Sequence, residues 1–228
     1  MLLVRRHLDT TFADLAASNK IQKNRMRREY NRHYVYDGDS KGGQPPTTLL
    51  RHYLNQVLLK GRDVNELHAY LHSKPKWHSG PYLSQYIYRT LEFLAKHEAK
   101  VLPSEYIGTF ELPIGPFHIQ FFPHVTFLKG GVVNHLVLYS TKEVEIHRRY
   151  YGAFNALAEH LLMKADRRNE QVVIFDATKN LWMRSASDVV HLNHLLEGRF
   201  KTWKNVVADH QGIKMPFDDN AEGPMIST

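Results

Sequence analysis

The 228-residue chain contains no cysteine, which excludes disulfide scaffolds, thiol nucleophiles and thiolate zinc sites. No uncharged apolar run approaches the ~20 residues that cross a bilayer, so an integral membrane protein is not expected. From Leu112 to Lys142 there is not one Asp or Glu. Gly-x-Ser-x-Gly, a Walker lysine loop, Gly-x-Gly-x-x-Gly and His-Glu-x-x-His are also missing. The sequence therefore offers no nucleophile elbow, nucleotide cradle or zinc-protease helix, and no metal or cofactor is expected.

What is present is the composition of a soluble globular protein, 43% hydrophobic and 23% charged, of a size for one domain with an added helical arm. Thirty Lys and Arg against 23 Asp and Glu give a net charge of +7, a balance that favours polyanionic partners. Residues 1–19 mix Arg5 and Arg6 with Asp9 and Asp14, unlike the long uncharged core of a secretory signal, so the expected location is cytoplasmic.

Residues 1–36 read as a basic N-terminal arm, and the turn-rich run Asp37 to Pro46 as its boundary. Residues 47–210 read as a single α/β domain and 211–228 as a flexible tail. Within the domain, 47–100 is helical. A helix follows Thr47 or Thr48 and ends at Gly61, a second is capped by Asp63, and a third opens at Pro81. The part from 105 to 203 carries the sheet. Three strands (105–114, 117–128 and 132–141) form a meander with Gly115-Pro116 and Lys129-Gly130-Gly131 as hairpin connections. A helix over 143–164, a strand pair (171–176 and 181–184) and a last helix capped by Ser187 or Asp188 complete a mixed α/β class.

The order helix, meander, helix, strand over Pro81 to Arg184 resembles the core of the PD-(D/E)XK nuclease superfamily, which includes the RecB-like exonucleases. That resemblance implies a Pro-Asp pair and an acid-x-Lys tripeptide on the central strands. Pro123-His124 and Leu138-Tyr139-Ser140, followed by Thr141-Lys142, stand at those places. A hard divalent ion needs clustered carboxylate oxygens. With Glu92 before the strands and Glu143 or Glu145 after them, the acids lie at opposite ends. The fold implied is that of a nuclease without its catalytic residues.

The 15 histidines supply a rival chemistry. His124-Val125-Thr126-Phe127 and His135-Leu136-Val137-Leu138 approach the His-apolar-Thr/Ser-apolar motif of two-histidine phosphoesterases. The second has Val137 where the hydroxyl belongs. On one uninterrupted strand His118 and His124 share a face, and either His118 or His135 is the partner expected for His124 as a metal-free acid–base pair. The alternative for all three is a histidine satisfied by its neighbours on a sheet face. His191 and His194, three apart, make half of a zinc site at most.

The strongest signal is cationic. Lys20, Lys23, Arg25, Arg27, Arg28 and Arg32 fall within 13 residues, with Tyr30, Tyr34 and Tyr36 close by. Arg148 and Arg149 precede Tyr150 and Tyr151, and Arg199, Lys201 and Lys204 flank Trp203. Lys and Arg neutralise backbone phosphates and aromatic faces stack on unpaired bases, whereas a charged solvated face or an arm on an acidic protein has the same composition. The expectation is a non-catalytic nucleic-acid-binding protein, DNA or RNA, working as a subunit of a larger assembly. The alternatives are a phosphodiesterase or nuclease using the histidines or displaced acids, and an assembly component that binds protein alone.

Overall fold

The structure is a computed structural model that describes residues 4–31, 46–73, 80–111, 117–139 and 144–211. Chain order begins with β1 (Val4–His7), α1 (Leu8–Ala16), α2 (Asn19–Tyr30), α3 (Pro46–Leu58), α4 (Val64–Ser73) and α5 (Gly80–Lys96). Five strands follow: β2 (Lys100–Leu102), β3 (Gly108–Glu111), β4 (Phe117–Phe121), β5 (Val125–Lys129) and β6 (Val132–Tyr139). A 3-10 turn (Arg148–Tyr150) leads into α6 (Tyr151–Lys164), then β7 (Gln171–Asp176), β8 (Leu181–Met183) and α7 (Val189–Gln211). The class is mixed α/β, as expected.

Local chemistry sets many of these bounds. Asp63 Oδ1 accepts the N–H groups of Asn65 (2.7 Å) and Glu66 (3.0 Å), which caps α4. Asp188 Oδ1 does the same for α7 through the His191 N–H at 2.9 Å. Gly130 and Gly131 both have positive φ (58° and 80°), the two-residue turn whose twist matches the strands it joins.

The main sheet has the order β2-β5-β6-β7-β8, with β6 and β7 parallel across the α6 crossover and the other pairs antiparallel. Alternation gives it two buried faces. Val125, Phe127, Leu136, Leu138, Val173 and Phe175 pack with α3, α4 and α5. Val137, Tyr139 and Ile174 face the opposite way, into a core shared with α1, α6 and α7.

Two expectations are corrected. The run 117–128 is not one strand: it breaks at Phe122-Pro123-His124, where Pro123 has no N–H to give a ladder. β4 enters a second sheet, order β1-β4-β3, while β5 enters the main one. The meander is therefore β2-β5-β6, with β3 and β4 an excursion from it. Nor are residues 4–31 a separate arm. β1 pairs in parallel with β4 from Val4↔Phe117 to His7↔Gln120, and Leu8, Phe12 and Leu15 of α1 lie in the core. Burying each such side chain contributes about 1.5–3 kcal/mol, so the segment is part of the body. Shorter changes follow the same logic: the helix expected over 143–164 starts as the 3-10 turn at Arg148, and α7 runs beyond Trp203 to Gln211. The stretch 32–45, the Gly115-Pro116 connection and residues 212–228 lie outside the described residues.

Among the described residues no helix is long and apolar enough to cross a membrane.

Candidate functional site

The two basic segments that sequence places far apart meet. Met26 of α2 packs with Trp203 and Val206 of α7 in a small core flanked by Tyr30 and Val207. Contacts advance together along both helices: Thr202 Oγ1 donates to Gln22 Oε1 (3.1 Å), Arg27 reaches Asp209, and Asn31 meets His210 (3.1 Å). The helices therefore run side by side in one direction. The apolar edge of α2 faces inward, so Lys20, Arg27 and Arg28 point outward and are exposed, with Lys23 half-buried beside them. On α7, Lys201 is exposed and Lys204 half-buried, its Nζ 4.4 Å above the Phe200 ring.

Not every cation is available. Arg199 is 2% exposed, and its NH2 lies 3.2 Å from Asp14 Oδ2. The expectation that it binds nucleic acid is corrected: a guanidinium inside the core, paired to a carboxylate, cannot meet a phosphate in solvent. Arg25 donates to the other oxygen of Asp14 at 2.8 Å. Lys23 Nζ and Arg27 NH2 both lie 3.0 Å from Asp209 Oδ2, and their hydrogen bonds hold that carboxyl below its ordinary value. Arg32 lies outside the described residues. Of the aromatic side chains meant to stack on bases, Trp203, Tyr150 and Tyr151 are buried and Tyr30 lies against Trp203 and His210; Tyr34 and Tyr36 lie outside the described residues.

Arg148 and Arg149 form the third patch, exposed on the 3-10 turn. Arg149 donates to Tyr150 Oη at 2.9 Å, and the Tyr150 ring stacks on His191 of α7 with centroids 5.6 Å apart. This patch sits at the head of α7, the α2 patch along its second half.

The three histidines separate. His118 is on β4, half-buried, in the smaller sheet, so it shares no strand face with His124. His124 is 2% exposed. Its Nδ1 accepts the Leu138 N–H at 3.2 Å, which places the ring proton on Nε2, an atom without a hydrogen-bond partner. Burial, reinforced by Arg51 and His7, lowers its pKa to about 3. A neutral ring closed to solvent cannot exchange protons with a substrate at neutral pH. His135 lies across the strand pair from Thr126. Its Nε2 hydrogen-bonds Glu170, and its Nδ1 lies 3.3 Å from Thr126 Oγ1. Burial lowers the pKa of His135 despite Glu170, so the neutral ring donates to the carboxylate and accepts from the threonine. Hydroxyl, imidazole and carboxylate stand in the order of a nucleophilic triad, but Thr126 and His135 are both buried, and the line serves to satisfy polar groups.

Among the described residues no three His, Asp or Glu side chains are grouped to hold a metal ion. Glu92 is exposed on α5, Glu145 pairs with Lys179 at 2.5 Å, and His194 stands 3.9 Å from Glu197. Ser140 and Glu143 lie outside the described residues.

Sequence reading missed Asp14 and Asp209, which decide which cations are spent, and a buried polar group around His124. There Asp9 opens α1, and burial raises its carboxyl to about 6 against the hydrogen bond from the Thr10 N–H. Arg51 of α3 stacks over Phe122 at 3.9 Å and donates to its carbonyl at 3.3 Å. No short-range spacing links residues 9, 51 and 124. The chain matches no family model and no curated protein in sequence.

Proposed function

We propose that this protein is a non-catalytic nucleic-acid-binding protein, which holds the phosphate backbone on the outer face of the α2–α7 helix pair. The observation that carries this reading is the convergence of Lys20, Lys23, Arg27 and Arg28 with Lys201 and Lys204 from a segment about 180 residues away, with Asp209 pairing with Lys23 and Arg27. Cations spaced along one face release counterions from a polyanion. The buried Trp203, Tyr150 and Tyr151 favour contact with the backbone over stacking on bases. The order α5, meander, α6, β7 supports a degenerate nuclease-like outline, and the closed positions of His124 and His135 favour binding over cutting.

The test is oligonucleotide binding by the full chain across a salt series. Wild-type protein should bind single- or double-stranded probes at low salt and lose affinity steeply as salt rises. Lys20→Ala, Arg28→Ala and Lys201→Ala combined should weaken binding and flatten the slope by about two to three. No binding at low salt would sink the reading.

A further inference from the structure

A second cationic surface stands away from the α2–α7 pair, at the end of the main sheet. Trp182 of β8 lies on the face that packs against α5, where its ring meets Phe93 and His97 edge-on at 5.7 and 5.1 Å. The Arg184 guanidinium carbon sits 3.1 Å from the ring centroid and Lys129 Nζ 6.0 Å from it. Lys129 Nζ also donates to His97 Nδ1 at 2.9 Å, so an ammonium spends a hydrogen bond on a neutral acceptor. Lys96 closes α5 next to them. Lys96, Lys129 and Arg184 are all exposed, and none makes an ion pair among the described residues. Glu98, two residues from Lys96, pairs with none of them either. Burial, then Lys129, Arg184 and Lys96 in turn, lower the His97 pKa.

Cations near a helix C-terminus favour its dipole, which accounts for Lys96. It does not account for Lys129 and Arg184, which strands bring there. Stacking uses the π face of a guanidinium and fixes its plane, but leaves the N–H donors along its edge open. An edge held in place loses less freedom when it grips two oxygens. We propose that Lys96, Lys129 and Arg184, gathered around Trp182, form a second phosphate-binding surface that holds the backbone of a nucleic-acid strand. This rests on the nucleic-acid reading above and extends it to a surface outside the basic segment.

The two surfaces are joined by the fold. From Arg184 the chain passes through Ser185 and Ala186 to Asp188, whose N–H bonds the Gly152 carbonyl in the first turn of α6 at 3.0 Å. Arg148 and Arg149 stand directly before that turn. Following α7 from its head then leads to Lys201 and Lys204 in its second half. A groove of about 390 Å³ between α6 and the β7–β8 pair opens beside Trp182 and Arg184, with Asn155, Gln171 and Arg168 in its wall. Glu159 and Glu170 line it too, and Glu170 is already bonded to His135 and Arg167.

The experiment is fluorescence anisotropy of a labelled oligonucleotide with the full chain, over a salt series. Lys129→Ala with Arg184→Ala should weaken binding roughly tenfold at low salt and lower the salt slope by about 1.4–1.8, the share of two phosphates. Arg184→Lys keeps the charge but not the stacked plane, and should lose a smaller part of the affinity with the slope retained. Thermal melting checks that the variants fold. If the double variant binds as the wild type does, while the Lys20/Arg28/Lys201 alanine variant binds more weakly, this surface is refuted and the α2–α7 reading stands. If wild-type protein binds no oligonucleotide, both fall together.

Discussion

Arg199 of α7 reaches Asp14 of α1 across nearly the whole length of the chain, and the two side chains are 3% and 2% exposed. Arg25 of α2 takes the other oxygen of Asp14 at 2.8 Å, so one carboxylate ties three helices together. Removing one partner of a buried pair leaves an uncompensated charge, at a cost of about 3–5 kcal/mol. Asp14→Ala should therefore lower the unfolding free energy from urea titration by that amount or leave the chain unfolded. Arg199→Met should cost less, because Asp14 keeps Arg25 as its partner and a side chain of similar length remains. Equal losses for both would show that the pair contributes through packing alone.

Stability should fall in acid, and His124 is the main cause. Burial, with Arg51 and His7 adding to it, takes its pKa from 6.5 to about 3. Between those values the unfolded chain binds a proton that the folded chain refuses, so stability rises with pH across that window. Asp9 acts in the opposite sense. Burial raises its carboxyl from 3.8 to about 6, so the folded chain holds the extra proton and stability falls as pH rises through that range. The His124 gap is wider, and His7, His135 and His160, all lowered by burial, add to it. At about 1.4 kcal/mol per pH unit, His124 loses about 3 kcal/mol between pH 6.5 and 4 and Asp9 returns about 2–3 kcal/mol of it, so urea unfolding should show a net loss in acid whose direction the other lowered histidines reinforce. His124→Asn, whose amide oxygen can still accept the Leu138 N–H, should flatten the profile, and Asp9→Asn should steepen it. A profile that His124→Asn leaves unchanged would contradict the burial of His124.

Two glycines near α7 should respond with opposite signs to the same change. A Cβ on Gly152 would stand 2.8 Å from the Ala186 carbonyl oxygen and 2.9 Å from Asp188 Cβ, and the former is backbone that cannot step aside cheaply. Gly152→Ala should destabilise by about 1–3 kcal/mol. Gly198 lies within α7 with nothing inside 4 Å of such an atom. There alanine removes a helix-interior glycine and should stabilise by about 0.5–1 kcal/mol. Thermal melting of the two single variants separates them, and shifts of the same sign would contradict this packing.

Features that depend on a few neighbouring residues were legible in the sequence. Asp63 and Asp188 announce α4 and α7 because a cap is made within three residues, and Gly130-Gly131 announces its hairpin because the turn needs two positive φ angles. Long-range choices were not. β1 and β2 are four and three residues long and exist through their partners β4 and β5. The alternating run 117–128 has the pattern of one strand, and Pro123 marks the break without telling that β4 leaves for a sheet with β1. The basic run of α2 is plain in sequence. Which of its cations remain for a partner is decided by Asp14 and Asp209, and no local pattern connects either acid to it. The surface around Trp182 was invisible for the same reason: Lys96, Lys129 and Arg184 are isolated cations in sequence, and only the sheet brings them together.

Asp209 gives a way to strengthen the proposed interface. Its Oδ2 lies 3.0 Å from both Lys23 Nζ and Arg27 NH2, so two cations on the outer face of α2 share one exposed carboxylate. A phosphate arriving there competes with that carboxylate for the same N–H groups, and the negative charge repels it. Asp209→Asn removes the charge, keeps the shape, and frees both cations. Exposed ion pairs contribute little to folding, so stability should hardly change. Oligonucleotide affinity at low salt should rise by roughly two- to fivefold, with a salt slope steeper by about one. The comparison has a built-in control, since Asp14→Asn removes a carboxylate that no ligand can reach and should cost stability without raising affinity. Unchanged or weaker binding by Asp209→Asn, with wild-type melting, would mean that nucleic acid does not lie on the α2–α7 face.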